Sequence, residues 1–294
     1  MTHNRKIYLV SFIYKSKRGT RMKNTLYVTD LDGTLLNDNQ TVSKYSVDII
    51  NSYIEKGYLF TFATARSLYS AKKLINGLQL RLPVIVYNGC HILNPESFES
   101  VSSEFFTKQE CDDLYQLFKK YRKQPIVYSR NKTIEKVYYI ADERNIGLMH
   151  YIDSRRNDKR FERKKQLKEL MQGDIFYFTL IANEEDIFDL YQILKQSQRF
   201  SLVYYLESYT NQYWLEIMPT LVNKATAIQK LKNILQCDTV VCFGDDINDL
   251  EMFDIADDKY AVANAKEQVK EKATAVIRSN NDDAVADWMK EHLK

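Results

Sequence analysis

Short unbroken apolar runs alternate along this chain with stretches in which apolar positions recur at helical spacing. Strand-like runs at Leu26 to Thr29, Tyr58 to Ala63 and Val84 to Tyr87 enclose amphipathic stretches at Ser43 to Lys56 and Ser67 to Asn76. Ser43 and Ser67 stand where an N-cap side chain accepts the free amides of a first turn, and Gly57 and Gly77 stand where helices commonly stop. Strands apolar on both faces suit a parallel sheet covered by helices on each side, so the β-α-β-α-β rhythm predicts an α/β, Rossmann-like, doubly wound parallel sheet.

The rhythm returns near the other end: a helix from Lys224 to Leu235, a strand from Thr239 to Phe243, a helix from Ile247 to Ile255, a strand from Tyr260 to Ala263, and helices flanking Ala275 to Ile277. Two sequence-distant segments, 24–93 and 214–294, are thus expected to build one core. Between them, in 94–213, the texture shifts to longer Tyr- and Phe-rich strands (Ile126 to Ser129, Lys136 to Ile140, Ile175 to Ile181, Ser201 to Leu206) and charged helices. This predicts an inserted α+β domain. Inside it, Asn183 followed by Glu184, Glu185 and Asp186 marks a helix start, since acids in a first turn oppose the helix dipole.

A chain of 294 residues exceeds the usual single compact domain, consistent with a core plus an insertion. The net charge is +3, yet residues 1–23 hold seven basic side chains and no acid, which leaves the remainder slightly acidic. That balance argues against nucleic acid as a partner, since electrostatic binding needs a clustered basic face on the folded domain. The basic extension itself reads either as a disordered arm or as an over-reading of the start upstream of Met22. Ile7 to Tyr14, the longest early apolar run, is too short to span a bilayer and has no small-residue cleavage site after it, so neither membrane nor secretion is expected. Four scattered cysteines (Cys90, Cys111, Cys237, Cys242) lack zinc-site spacing and read as reduced thiols in a cytoplasmic protein, a monomer or weak homodimer.

Chemistry concentrates at strand ends. Asp30-Leu31-Asp32-Gly33-Thr34 follows the first strand directly, at the carboxyl-end crevice where open α/β sheets bind ligands. Gly33 lets the chain turn there, so one acid can lead while the other flanks it. Alone, the pair also suits a capping turn, a glycosyltransferase Asp-x-Asp or a phospho-acceptor pocket. The second cluster, Gly244-Asp245-Asp246-Ile247-Asn248-Asp249, follows the strand from Thr239 and opens a helix on the same sheet edge. Acids gathered at that density call for a hard cation such as Mg²⁺. A carboxylate approaching a dianionic phosphate at about 4 Å meets roughly 8 kcal/mol of repulsion at an effective dielectric near 20. A divalent ion, a lysine and backbone amides can reverse that sign. Thr64, closing Phe62-Ala63-Thr64-Ala65-Arg66, and Lys224, opening the returning half, supply such features.

With these motifs the sequence from Met22 onward resembles the haloacid dehalogenase superfamily, specifically Cof-type phosphatases with a type II, subclass B cap. The resemblance implies that Asp30 is the nucleophile and that Asp32 protonates the leaving oxygen, then activates water against the aspartyl-phosphate. It implies a Mg²⁺ held by Asp30, the Asp32 carbonyl and Asp245, with Asp249 in support. Phosphate would meet Thr64, the amides of Leu31 and Ala65, Lys224 and Asn248, with Asn88 of Asn88-Gly89 facing substrate. Two departures stand out: Ala65 and Ala225 replace glycines common in the family, a change harmless unless those backbones are left-handed. The implied activity is hydrolysis of small phosphomonoesters, sugar phosphates or nucleotide-like compounds, with 94–213 closing over the crevice and selecting among them. A phosphomutase or phosphotransferase on the same scaffold, or a non-catalytic regulator that binds a phosphometabolite, remain alternatives. Basic residues of the insert (Arg130, Lys132, Arg155, Arg156, Arg160, Arg163) read mainly as solvated.

Overall fold

The computed structural model describes residues 24–207 and 210–294. The basic extension, 1–23, lies outside them. Contact between residues divides the chain into two compact units, one running to Ser103 and resuming as Asn223–Lys294, the other Glu104–Val222.

In the first unit, β1 (Thr25–Thr29), α1 (Lys44–Glu55), β2 (Leu59–Phe62), α2 (Leu68–Leu74) and β3 (Val84–Val86) follow the predicted order. Ser43 and Ser67 cap their helices by accepting from Ser46 N and Ser70 N. A short antiparallel hairpin, β4 (His91–Leu93) and β5 (Ser100–Ser103), then pairs onto β3. The hairpin places the change of unit about ten residues later than the sequence texture indicates.

The second unit carries β6 (Ile126–Asn131), β7 (Ile134–Tyr139), β8 (Phe161–Arg163), β9 (Ile175–Ala182), β10 (Phe200–Glu207) and β11 (Gln212–Pro219), ordered β10-β11-β9-β6-β7-β8. All neighbours are antiparallel except β7 and β8. Helices α3 (Lys108–Lys120), α4 (Ile146–Asp153) and α5 (Glu184–Ser197) accompany this sheet. Leu114 and Phe118 of α3 and Ile187, Leu190 and Leu194 of α5 are buried with Val127, Phe178, Leu180, Leu215 and Ile217 of the strands. The predicted helix start after Asn183 is where α5 begins, with Glu184, Glu185 and Asp186 in its first turn. Strand β11 belongs to this sheet along its whole length, so the second unit extends past residue 213.

The chain then returns through α6 (Lys224–Leu235), β12 (Thr239–Gly244), α7 (Leu250–Ile255), β13 (Asp258–Ala261), α8 (Glu267–Lys272), β14 (Ala275–Val276) and α9 (Ala284–His292). The first unit's main sheet is β14-β13-β12-β1-β2, parallel throughout, with β3 attached by a parallel bridge between Ala63 and Ile85. Alternation across β1 and β12 sends Leu26, Val28, Val240 and Cys242 into a core with Ile228, Leu231, Met252 and Phe253. On the other face Tyr27 and Phe243 meet Trp288 of α9 at ring separations of 6.2 and 5.0 Å. The central strands β1 and β12 therefore end side by side, and both acidic motifs leave from those ends.

Candidate active site

The turn Leu31–Leu35 after β1 is irregular because Asp32 lies in the extended region and Gly33 has φ +72°. A β-carbon at Gly33 would stand 2.4 Å from Asp245 Oδ2, so this position needs glycine for its backbone and for the space it yields to the second motif. Thr34, one residue on, donates to Asp245 Oδ1 at 2.8 Å. The Asn264 amide donates to the Gly33 carbonyl at 2.8 Å and accepts from Asn280 N at 2.9 Å, which ties the turn to the loops after β13 and β14.

The second motif contains a 3-10 turn, Ile247–Asp249, before α7 begins at Leu250. The continuous helix predicted from Ile247 is thus broken. Asp246 accepts from Ile247 N, capping that turn. The turn swings the Asp249 carboxylate back beneath the loop, where Oδ2 accepts from Asp245 N and Asp246 N at 2.9 and 3.1 Å. Asp249 is fully buried, and a β-carbon at Gly244 would lie 2.7 Å from its side chain.

Lys224 is the first residue of α6, behind the N-cap Asn223, whose side chain accepts from Thr226 N. Its side chain is 1% exposed, and its Nζ donates to Asp30 Oδ1 at 2.6 Å and to Asp249 Oδ1 at 2.7 Å. Oxygens of Asp30, Asp245 and Asp249 lie within 4.8 Å of one another. Burial raises the Asp30 carboxyl well above its ordinary value, with Asp249, Asp245 and Asp32 adding to the rise and Lys224 opposing it. Burial also pushes the Asp245 carboxyl up to about 7, reinforced by Asp249 and moderated by Thr34 and Lys224. For Lys224, burial alone would lower the amine, but Asp249 and Asp30 outweigh it and hold the ammonium protonated.

Three carboxylates thus face one ammonium in a buried pocket. The donor set is oxygen only, and Asp245 is raised first by its burial and then by Asp249, a cost to its charged form that a hard divalent cation among these oxygens would offset. The residues fit such an ion. Asp249, expected in a supporting position, has an oxygen in this cluster beside those of Asp30 and Asp245. Asp32 takes a different course: its side chain, 47% exposed, is gripped by Arg66, from Nη2 to Oδ1 at 2.6 Å and from Nε to Oδ2 at 2.7 Å. Asp246 pairs with Lys266 at 2.5 Å.

Leu31 is buried directly after Asp30, and Thr64 is fully buried after β2, its hydroxyl accepting from Arg66 N at 3.2 Å. Asn88 is buried at φ +51° and donates its backbone N–H to the Thr64 carbonyl at 3.0 Å, bringing the third strand's end against the second's. Asn248 is half-buried in the 3-10 turn. Neither Ala65 nor Ala225 has positive φ, so the methyl each carries in place of glycine imposes no backbone strain. Arg66, Thr34 and Asn264 were not singled out from sequence. Arg66 carried the one readable signal, a cation two residues after Thr64 at the end of a strand.

A parallel α/β sheet with paired acidic turns at adjacent strand ends, a buried lysine and a cation-ready carboxylate cluster defines a hydrolase of the phosphoryl-handling class. The chain belongs to the haloacid dehalogenase-like hydrolases, whose sequence profile matches residues 27–289. The Cof-type resemblance seen in the motifs agrees with that match, and the protein is an enzyme of the phosphatase group of this family. It is 25% identical over 280 residues to 5-amino-6-(5-phospho-D-ribitylamino)uracil phosphatase YitU of Bacillus subtilis, covering 92% of this chain and 98% of that protein. A putative phosphatase of Streptococcus pyogenes is 27% identical over 281 residues, covering 90% and 97%. Among solved structures, TM0651 from Thermotoga maritima superposes with a TM-score of 0.75 at 26% identity, covering 93% of this chain and 98% of that one. No helix among the described residues is long and apolar enough to cross a membrane.

Proposed function

We propose that the protein is a Mg²⁺-dependent phosphatase of small phosphomonoesters that works through an aspartyl-phosphate on Asp30. The observation that carries this reading is the buried cluster in which Lys224 joins Asp30 to Asp249 beside Asp245. Asp30, the Asp32 carbonyl and Asp245 are read as the ion's ligands, with Asp249, whose oxygens accept from Lys224 and the Asp245 and Asp246 amides, in support. When bound, Mg²⁺ neutralises charge on the phosphoryl group and the attacking carboxylate.

The chain's own residues carry the remaining work. Lys224 orients the Asp30 carboxylate and offers its charge to the phosphoryl oxygens, alongside the Thr64 hydroxyl and the amides of Leu31 and Ala65. An Asp30 oxygen attacks phosphorus, the bond to the leaving oxygen breaks, and Asp32 gives that oxygen its proton. Asp32, now a carboxylate, takes a proton from water as the water oxygen attacks phosphorus and frees Asp30. The products are the alcohol and inorganic phosphate. Asn248 and Asn88 are read as polar contacts to phosphate and substrate. The second unit is read as the cap that selects the leaving group.

Two Bacillus subtilis relatives are named as phosphatases of 5-amino-6-(5-phospho-D-ribitylamino)uracil. That compound therefore belongs in the substrate panel beside sugar phosphates and nucleotides. Phosphate release is measured with and without Mg²⁺, for the wild type and Asp30→Asn. The reading expects Mg²⁺-dependent release that Asp30→Asn abolishes. Equal release by both proteins would contradict it.

A further inference from the structure

The five acids of the two motifs do not share one environment. Asp30, Asp245 and Asp249 turn inward around Lys224, whereas Asp32 turns to Arg66 and Asp246 to Lys266. The Asp32–Arg66 contact is a fork, two parallel N–H donors of one planar guanidinium on the two carboxylate oxygens, at 2.6 and 2.7 Å. Such a pair fixes direction as well as charge, which a single ammonium does not.

Arg66 is itself held from several sides. Its backbone N–H reaches Thr64 Oγ1 at 3.2 Å, its carbonyl accepts from Tyr87 N at 3.0 Å, and Nη1 donates to Ser70 Oγ at 3.2 Å. Nη2 also points to Gln40 Oε1 at 3.4 Å. The guanidinium is only 22% exposed, against 47% for Asp32. A partly exposed aspartate at the start of an irregular turn would otherwise sample several rotamers.

We propose that Arg66 is a positioning residue that aims Asp32 for proton transfer. This rests on the reading of Asp32 as the acid and base of the reaction. A carboxylate offers about four lone-pair directions, and the fork occupies one on each oxygen. The other on each oxygen is left by the fork, so Asp32 can carry its proton there, give it to a leaving alkoxide and, now a carboxylate, take one from water at the same place without releasing Arg66. The guanidinium stays protonated throughout and exchanges no proton itself. Its contribution is to hold the open lone pairs in one direction, through a contact that joins the turn after β1 to the turn after β2.

The test compares kcat/KM, which reports the first phosphoryl transfer, for two esters in the presence of Mg²⁺. Glycerol phosphate must expel an alkoxide, which needs the proton from Asp32; p-nitrophenyl phosphate expels a stable phenolate, which does not. Arg66→Gln is expected to lose roughly 10²-fold on glycerol phosphate but less than about 5-fold on p-nitrophenyl phosphate. Added guanidinium ion should restore part of the loss on glycerol phosphate. Thermal melting reports whether the variant folds; if it does not, Arg66→Lys, with one ammonium in place of the fork, is measured on the same two esters with the same unequal loss expected. Equal losses on both esters in a folded variant, without guanidinium rescue, would overturn the proposal while leaving the phosphatase reading intact. A wild type that hydrolyses neither ester, or an Asp32→Asn that keeps full activity on glycerol phosphate, would remove the acid/base reading and this inference with it.

Discussion

Replacing Lys224 with methionine keeps an unbranched side chain one atom shorter and deletes its charge. In the structure the ammonium lies 2.6 Å from Asp30 Oδ1 and 2.7 Å from Asp249 Oδ1. At an effective dielectric near 20, each contact represents roughly 6 kcal/mol of Coulomb attraction, most of which offsets the cost of burying the three charges. Removing one partner of a buried pair typically destabilises by about 3–5 kcal/mol, because the remaining charges are left uncompensated. For a chain of this size that corresponds to a fall in Tm on the order of 10 °C. The Asp30 carboxyl, already raised by burial and lowered by Lys224, responds by holding its proton to higher pH. Groups with raised folded values favour the folded state at low pH and lose that advantage as pH rises, so the loss in Tm should be smaller at pH 5 than at pH 8. Phosphate release should fall by about 10²-fold or more, since a donor to the phosphoryl oxygens goes as well. Scanning calorimetry of Lys224→Met at both pH values, with phosphate release assayed in parallel, measures all three effects. A variant that melts within a degree or two of the wild type and turns over normally would refute the electrostatic role given to Lys224.

Further outcomes follow from the same geometry. Gly33→Ala forces a β-carbon to where Asp245 Oδ2 stands, 2.4 Å away, at a backbone φ of +72°, so it should weaken Mg²⁺ binding and activity together; unchanged Mg²⁺ titration by calorimetry would contradict this. The Asp245 carboxyl is pushed up from 3.8 to about 7 by burial and Asp249, so between those values the folded, metal-free protein holds a proton that the unfolded chain has shed. Its contribution to metal-free stability therefore falls as pH rises through that window, and Mg²⁺, which displaces the proton, should bind more weakly as pH drops below about 7. A Mg²⁺ affinity that stays constant across that pH range would count against it. In the second unit, Glu135 is 2% exposed at its side chain and meets Arg130 at 2.5 Å and Arg160 at 2.7 Å. Glu135→Ala should cost about 3–5 kcal/mol in denaturant unfolding, and a change under about 1 kcal/mol would show that the arginines find other compensation.

Much of this protein is readable from local pattern. Helix α6 begins at Lys224 and ends at Leu235 as its apolar spacing indicates, and β1, β2, β3 and β12 fall within a residue or so of their apolar runs. Those segments are long, capped or apolar on both faces, and local signals suffice there. The β4–β5 hairpin escaped because Ser100–Ser103 has no apolar alternation and is a strand only through its pairing with β4. The change of texture near Tyr213 falls inside strand β11, which pairing with β9 as far as Ile217 and with β10 through Pro219 holds in one piece. In the site, Asp30, Asp245 and Lys224 announce themselves by their places at strand and helix ends. The direction taken by Asp32 does not, since its partner Arg66 is 34 residues away in the chain. Nor does the placement of Asp249, which depends on a 3-10 turn that a helical reading of Ile247 onward hides.

The central claim is that phosphorus passes through a covalent bond to Asp30. Rapid acid quench of the enzyme during turnover of a phosphomonoester with Mg²⁺, followed by peptide mass mapping, tests it directly. The account predicts a phosphoryl adduct on the peptide containing Asp30, present in the wild type and absent in Asp30→Asn. Turnover at full rate with no adduct on that peptide, or with Asp30→Asn as active as the wild type, would contradict it.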